Sequence, residues 1–274
     1  MQLRDLRIRI QAALGGFLPA EEAAAEAWLW LEEGLGQDRA SVLGQEAGDL
    51  PIAELERVEG WLARRRLGEP WAYIHGSVEW RGRRFRVTRD TLIPRPETEL
   101  LLEAALEVGR RLQVRHACDI GTGSGILGIS MALETDWEVT ATDIEPGALN
   151  IARQNAETLQ ALVHFAQGSL LAALPDPLGL IVSNPPYVDP AERPTLQREL
   201  AWEPEGALFA PDRGLGVATE LLRQAKQRRA PGVLLEIGAG QGSELQARAG
   251  RMGWRKILIH KDFAGHDRVL VVLP

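Results

Sequence analysis

From Val114 onward the 274-residue chain repeats one pattern: a short apolar run, a tight turn, then a helical stretch. The first instance is His116-Ala117-Cys118-Asp119-Ile120, then Gly121-Thr122-Gly123-Ser124-Gly125, then an apolar helical stretch over 126–133. Further strands are predicted over 137–142, around Val163-His164-Phe165, and over 179–182, 232–237, 256–260 and 268–273. Helices are predicted at 146–159, 216–229 and 244–251. Strands that alternate with helices make a mostly parallel sheet covered on both faces. The expected fold is therefore α/β, with a doubly wound, mostly parallel seven-stranded sheet that closes on a terminal hairpin.

In such a sheet ligands bind outside the carboxyl ends of the strands. Glycines at 121, 123 and 125 allow positive φ and close approach of the backbone to a ligand. Asp143 closes the next strand, where an acid can accept hydrogen bonds from both hydroxyls of a ribose. The fourth predicted strand runs into Ile181-Val182-Ser183-Asn184-Pro185-Pro186-Tyr187. Neither proline can continue a strand, and each restricts the residue before it, so the Asn184 side chain and the Pro185 carbonyl sit in a stiff turn. Two acceptors and an aromatic ring suit a planar NH2 group: Asn184 and Pro185 take its two hydrogens and Tyr187 stacks on its plane. A glutamine amide and the exocyclic amine of a base both qualify. A turn that merely closes a strand is the plainer reading. At ordinary residue usage, however, this tetrapeptide arises by chance in roughly one chain of this length in several hundred. Glu236-x-Gly238-x-Gly240-x-Gly242 has the spacing of the first glycine turn, but only thirty-two residues follow it. It is read as a strand-to-helix turn in the same sheet.

Residues 1–68 read as a small helical bundle, with Leu3, Leu6, Ile10 and Leu14 at helical spacing and further helices at 23–35 and 51–66. Residues 69–93 are read as a linker (69–76) and a β-hairpin, and 94–274 as the catalytic domain, opening with a helix over 97–111. The net charge of −7 gives no overall electrostatic footprint for nucleic acid. Arg64-Arg65-Arg66 and the arginines at 81–86 are the local basic candidates, read as solvated faces. The single cysteine, Cys118, falls in a core strand and reads as a buried, inert thiol. Five histidines without paired spacing give no metal site, and no apolar run reaches the length of a membrane span. A cytoplasmic monomer that binds no membrane and no nucleic acid stably is expected.

The glycine turn combined with Asn-Pro-Pro-Tyr resembles the class I methyltransferases that use S-adenosylmethionine and act on planar NH2 groups. Gly68-Glu69-Pro70, Leu92-Ile93-Pro94-Arg95-Pro96 with Thr98-Glu99, Ser183-Asn184-Pro185-Pro186-Tyr187, Glu203-Pro204 with Ala207-Leu208, and Gly265-His266-Asp267-Arg268 together look like the release factor glutamine N5-methyltransferases, the HemK/PrmC family. The resemblance covers nearly the whole chain. It implies a Rossmann-like class I methyltransferase domain joined by a hairpin to the N-terminal helical bundle, which either covers that domain or is a candidate for substrate recognition, with peptide-chain release factors as protein substrates. It further implies that Gly121, Thr122, Gly123, Ser124 and Gly125 cradle the methionine part of S-adenosylmethionine, that Asp143 holds its ribose, and that the 94–98 loop closes one wall. Asn184, Pro185, Pro186 and Tyr187 would hold the substrate glutamine, with Asn184, Pro185 and Tyr187 catalytic and Asn184 also bordering the cofactor. Many members carry an acid and then a tryptophan near the adenine. This chain has Ser169-Leu170 there, which leaves Leu170 as the expected contact. Glutamine methylation of a ribosomal protein and adenine N6 methylation of nucleic acid are the enzymatic alternatives; a non-catalytic cofactor-binding module leaves Asn-Pro-Pro-Tyr unexplained.

Overall fold

The computed structural model describes residues 1–43 and 50–274, in two compact units, Met1–Gly76 and Ser77–Pro274. The bundle predicted over 1–68 therefore lies outside the described residues at 44–49.

The first unit comprises α1 (Leu3–Leu14), α2 (Ala20–Leu29), α3 (Arg39–Leu43), α4 (Ile52–Arg66) and α5 (Trp71–His75). Leu3, Leu6, Ile10 and Leu14 form the buried stripe of α1 that their spacing predicts. Three readings change. The helix expected over 23–35 ends at Leu29 and continues as a π-turn, Trp30–Gly34. There the Trp30 ring stacks on Trp71 at 4.9 Å and meets Trp61 edge-on at 5.8 Å. The stretch 69–76 is not a linker, because it winds into α5 between Pro70 and a left-handed Gly76, with Trp71 buried. Of Arg64-Arg65-Arg66, read as a solvated face, Arg64 and Arg66 are exposed but Arg65 is not. Arg65 is 3% exposed, with its guanidinium on Glu26 at 2.6 and 2.9 Å, and Arg64 bonds Glu69.

The second unit opens with a hairpin, β1 (Ser77–Trp80) and β2 (Arg83–Arg86), whose turn residues Arg81 and Gly82 both have positive φ. Then follow α6 (Thr98–Leu112), β3 (His116–Ile120), α7 (Ile126–Glu134), β4 (Glu138–Asp143), α8 (Pro146–Leu159), β5 (Val163–Gln167) and β6 (Leu180–Ser183). The rest is α9 (Glu205–Leu208), α10 (Gly216–Gln227), β7 (Val233–Glu236), α11 (Gly242–Arg251), β8 (Lys256–Lys261) and β9 (Asp267–Leu273). The sheet has seven strands in the order β5-β4-β3-β6-β7-β9-β8, and only β9 runs against its neighbours. Strand alternation splits the core. Ala117, Val182, Leu234 and Val271 pack with α6 and α7, whereas Cys118, Ile181, Val233 and Val272 pack with α10 and α11. Burial raises the Cys118 thiol pKa, as an inert core cysteine requires.

The chain leaves β3 toward β4 on one side and returns through β6 on the other, so β3 and β6 flank the topological switch point. Asp119 pairs with Val182 in register, which brings the turn after β3 beside the turn after β6. Among the described residues no His, Cys, Asp and Glu cluster could hold a metal, and no helix is long and apolar enough to cross a membrane.

Candidate active site

Gly121, Gly123 and Gly125 have φ of +71°, +56° and +88°, which only glycine adopts without strain. Thr142 carbonyl oxygen accepts from the Gly121 and Thr122 N–H groups, both at 2.9 Å, which ties the turn to β4. A Cβ built on Gly121 or Gly123 would enter open space, so the backbone itself forms the wall of a cradle. Asp119, fully buried, accepts from Thr122 Oγ1 at 2.6 Å and from Gly128 N at 2.8 Å through Oδ2, while its Oδ1 is buried without a partner. Desolvation pushes its carboxyl up to about 6. A buried carboxylate oxygen without a partner, at the base of the glycine turn, is a place for a donor, best a cationic one. Asp143 accepts from Gly123 N at 2.9 Å and Glu145 N at 3.0 Å, which fixes both oxygens at the carboxyl edge of β4.

The second turn is built on Ser183, whose hydroxyl donates to Ile120 carbonyl oxygen at 2.6 Å and so locks the ends of β6 and β3 together. Asn184 Nδ2 donates to Thr98 Oγ1 at 3.3 Å, and Thr98 donates to Glu236 Oε2 at 2.7 Å. The Tyr187 hydroxyl donates to Glu236 Oε1 at 3.3 Å; burial, then the Glu236 charge, raises its pKa. The 92–98 loop is held in place by Glu203, which accepts from Ile93 N at 3.0 Å and pairs with Arg95. Two of the sequence signatures, Ile-Pro-Arg-Pro and Glu-Pro, thus meet through this one buried carboxylate.

A cleft of about 840 Å³ runs along the two turns. Its walls include Gly121, Thr122, Gly123 and Ser124 of the glycine turn, Asp143, Leu170, Asn184, Pro185 and Pro186, with Pro94 and Thr98 on the loop that faces them, whereas Gly125, also expected at the cofactor, is not among them and packs against Ile129 and Ala152. Tyr187 does not line it. Leu170, in a left-handed conformation, and Ile144, 58% exposed, present apolar surface beside Asp143. Sequence reasoning missed Ile144, Asn155 and Glu236. Asn155 on α8 donates to Ser124 carbonyl oxygen at 2.8 Å and to that of Arg86 at 2.9 Å, and accepts from Arg86 N at 2.7 Å. An asparagine inside a predicted helix carries no local mark of such a role. Glu236 did carry a signal, its place at the head of a glycine turn, but that spacing points to a nucleotide rather than to a neighbouring loop.

Comparison with known proteins bears on this geometry. Residues 96–210 match the family described as Methyltransferase small domain, and residues 11–76 match the PrmC N-terminal domain. A release factor glutamine methyltransferase of Deinococcus radiodurans is 40% identical over 98% of this chain and 97% of its own length. Those of Bordetella pertussis and Salmonella typhimurium are 37% and 33% identical, covering 89% and 97% of this chain and 92% and 97% of their own. Among solved structures, the catalytic domain of hMettl16 in complex with a 3′UTR hairpin aligns with a TM-score of 0.58 at 17% identity, over 77% of this chain and 78% of that one. The N-terminal domain of human METTL16 in complex with SAH aligns with a TM-score of 0.52 at 17% identity, over 82% and 84%. These structures share the fold.

Proposed function

The chain belongs to the release factor glutamine methyltransferase family, and from that membership we propose that it transfers a methyl group from S-adenosylmethionine to the side-chain amide nitrogen of the glutamine in the Gly-Gly-Gln motif of peptide-chain release factors. The observation that carries the reading is the placement of Asn184, with its two prolines, on the cleft that the glycine turn also lines. An acceptor NH2 bound at Asn184 and Pro185 lies next to a donor bound at residues 121–124.

The residues present fit S-adenosylmethionine. The unpartnered Asp119 Oδ1 and the open glycine cradle suit its amino-acid end, Asp143 suits a ribose diol, and Ile144 and Leu170 offer apolar faces to a planar base. When bound, S-adenosylmethionine supplies a sulfonium methyl group that is open to attack from the side opposite the sulfur. The protein's work is then positioning and charge. An amide nitrogen is a poor nucleophile because its lone pair is delocalised into its carbonyl. Asn184 Oδ1 and the Pro185 carbonyl accept its two hydrogens, stabilise the positive charge that grows on nitrogen, and orient the amide plane. Reacting atoms held in line at about 3 Å contribute much of the remaining rate. Tyr187, with its hydroxyl on Glu236, braces the acceptor turn from behind the cleft wall, and the first unit grips the release factor. We also place the protein in the cytoplasm, as a monomer.

The test is transfer of labelled methyl from S-adenosylmethionine to purified release factor, with ribosomal protein and DNA in parallel. Label that depends on the Gly-Gly-Gln glutamine is the expected result; label on DNA or on ribosomal protein instead would overturn the substrate.

A further inference from the structure

Glu236 ends β7, is 1% exposed, and reaches the acceptor turn by two routes. Oε2 accepts from Thr98 Oγ1 at 2.7 Å, and Oε1 accepts from the Tyr187 hydroxyl at 3.3 Å. Thr98 Oγ1 in turn accepts from Asn184 Nδ2 at 3.3 Å. A hydroxyl has one proton to give. Once Thr98 gives it to Glu236, its oxygen holds only lone pairs toward Asn184, and it can bind the NH2 end of that side chain but not the oxygen end. We propose that Glu236 is a positioning residue for methyl transfer: by fixing the direction of the Thr98 proton it turns the Asn184 amide so that Oδ1, the acceptor, faces the incoming NH2 group. This rests on the reading of the site above, in which Asn184 receives a planar amine.

The same turn holds the acceptor loop from its other side. Gln241 Nε2 donates to the Tyr187 carbonyl oxygen at 2.8 Å, and its Oε1 accepts from Gly238 N at 2.9 Å. Gly214 closes on the same carbonyl so tightly that a Cβ there would lie 2.0 Å from the Tyr187 oxygen and 2.7 Å from Gln241 Nε2. The second glycine turn thus clamps the Asn-Pro-Pro-Tyr loop by the Tyr187 backbone and sets its polar side chains through Glu236.

Glu236→Gln tests this with little change of shape. The new amide can donate to Thr98, whose proton is then free to turn toward Asn184 and reverse its amide. Expected is a fall in kcat of about 10- to 100-fold, with the Kd for S-adenosylmethionine and the melting temperature close to wild type. Thr98→Ser keeps the hydroxyl and should keep activity, Thr98→Val should fall as Glu236→Gln does, and the double variant should be no worse than the poorer single one, because both act through one route. Wild-type kcat in Glu236→Gln, or losses that multiply, would overturn the proposal. If Glu236→Gln is unstable, the contrast between Thr98→Ser and Thr98→Val decides alone. Assays on release factor, glutamine peptide and adenine oligonucleotide separate this from a wrong substrate: a different preferred acceptor refutes the functional reading, yet the ranking of variants still judges Glu236. The side-chain amide ¹⁵N–¹H signals of Asn184 need no acceptor at all. They should move in Glu236→Gln, and signals identical to wild type would refute the role.

Discussion

Asp119 shows what the site costs the fold. Desolvation lifts its carboxyl from 3.8 to about 6, although Thr122 and Gly128 hydrogen bonds oppose the shift. Between those two values the native protein binds more protons than the unfolded chain, so stability falls as pH rises through that window and stays at the lower level above it. A shift of this size corresponds to about 3 kcal/mol at neutral pH. Asp119→Asn keeps an acceptor for Thr122 and Gly128 but carries no charge. The ligand-free variant is expected to melt several degrees higher at pH 7, to lose the decline in stability between pH 4 and 6, and to bind S-adenosylmethionine at least about tenfold more weakly. Thermal melts across pH and titration calorimetry check these; unchanged affinity would remove Asp119 from the ligand site. Asn184→Ala is expected to go the opposite way, with cofactor affinity kept within a few-fold and turnover lost. Wild-type-like turnover would sink the assignment. Asn184 and the glycines were legible in sequence because few other residues tolerate those turns. The role of Asp119 was not, since which of its oxygens is left unpartnered depends on where α7 places Gly128.

Longer segments were legible in proportion to how local their determinants are. Helix α8 runs over Pro146–Leu159 as predicted, with proline at its first position, and stops at Gln160 in the left-handed region, with φ 55°. The short helix α5 and the 3₁₀ turns Pro190–Thr195 and Arg198–Trp202 were not foreseen, because segments of five or six residues show no measurable period. What fixes the segment after them is tertiary: Glu203 bonds the backbone at Ile93 and pairs with Arg95, 110 and 108 residues away in sequence. Asn155 does similar work, joining α8 to the end of β2 and to the glycine turn through three hydrogen bonds. Asn155→Leu leaves the Arg86 N–H, the Arg86 carbonyl and the Ser124 carbonyl without those partners. The expected loss is about 2–3 kcal/mol in a urea titration, with weaker cofactor binding because Ser124 belongs to the cradle. If stability falls while cofactor affinity is unchanged, the latch supports the hairpin and not the site.

The α/β architecture was readable from one period repeated over 160 residues, 114–273, whereas the choice of protein substrate depends on surfaces that no periodicity records. That division leads to a prediction about the two units. Every residue that lines the 840 Å³ cleft lies within Ser77–Pro274, as do Glu203, Glu236 and Asn155, which hold its walls. The buried leucine, isoleucine and tryptophan core of Met1–Gly76 makes a cluster of its own. Residues 77–274 produced alone are therefore expected to bind S-adenosylmethionine with near wild-type affinity and to methylate a short peptide containing Gly-Gly-Gln with nearly unchanged kcat. If the first unit grips the release factor, removing it abolishes a second point of attachment, and the effective concentration of the glutamine at Asn184 drops. The KM for intact release factor should then rise about tenfold or more, while the KM for the peptide, too short to reach both units, stays where it was. An equal rise for both substrates would mean that the truncation has damaged the cleft. No rise for either would mean that recognition resides entirely in the second unit, around the 92–98 loop and the hairpin between β8 and β9.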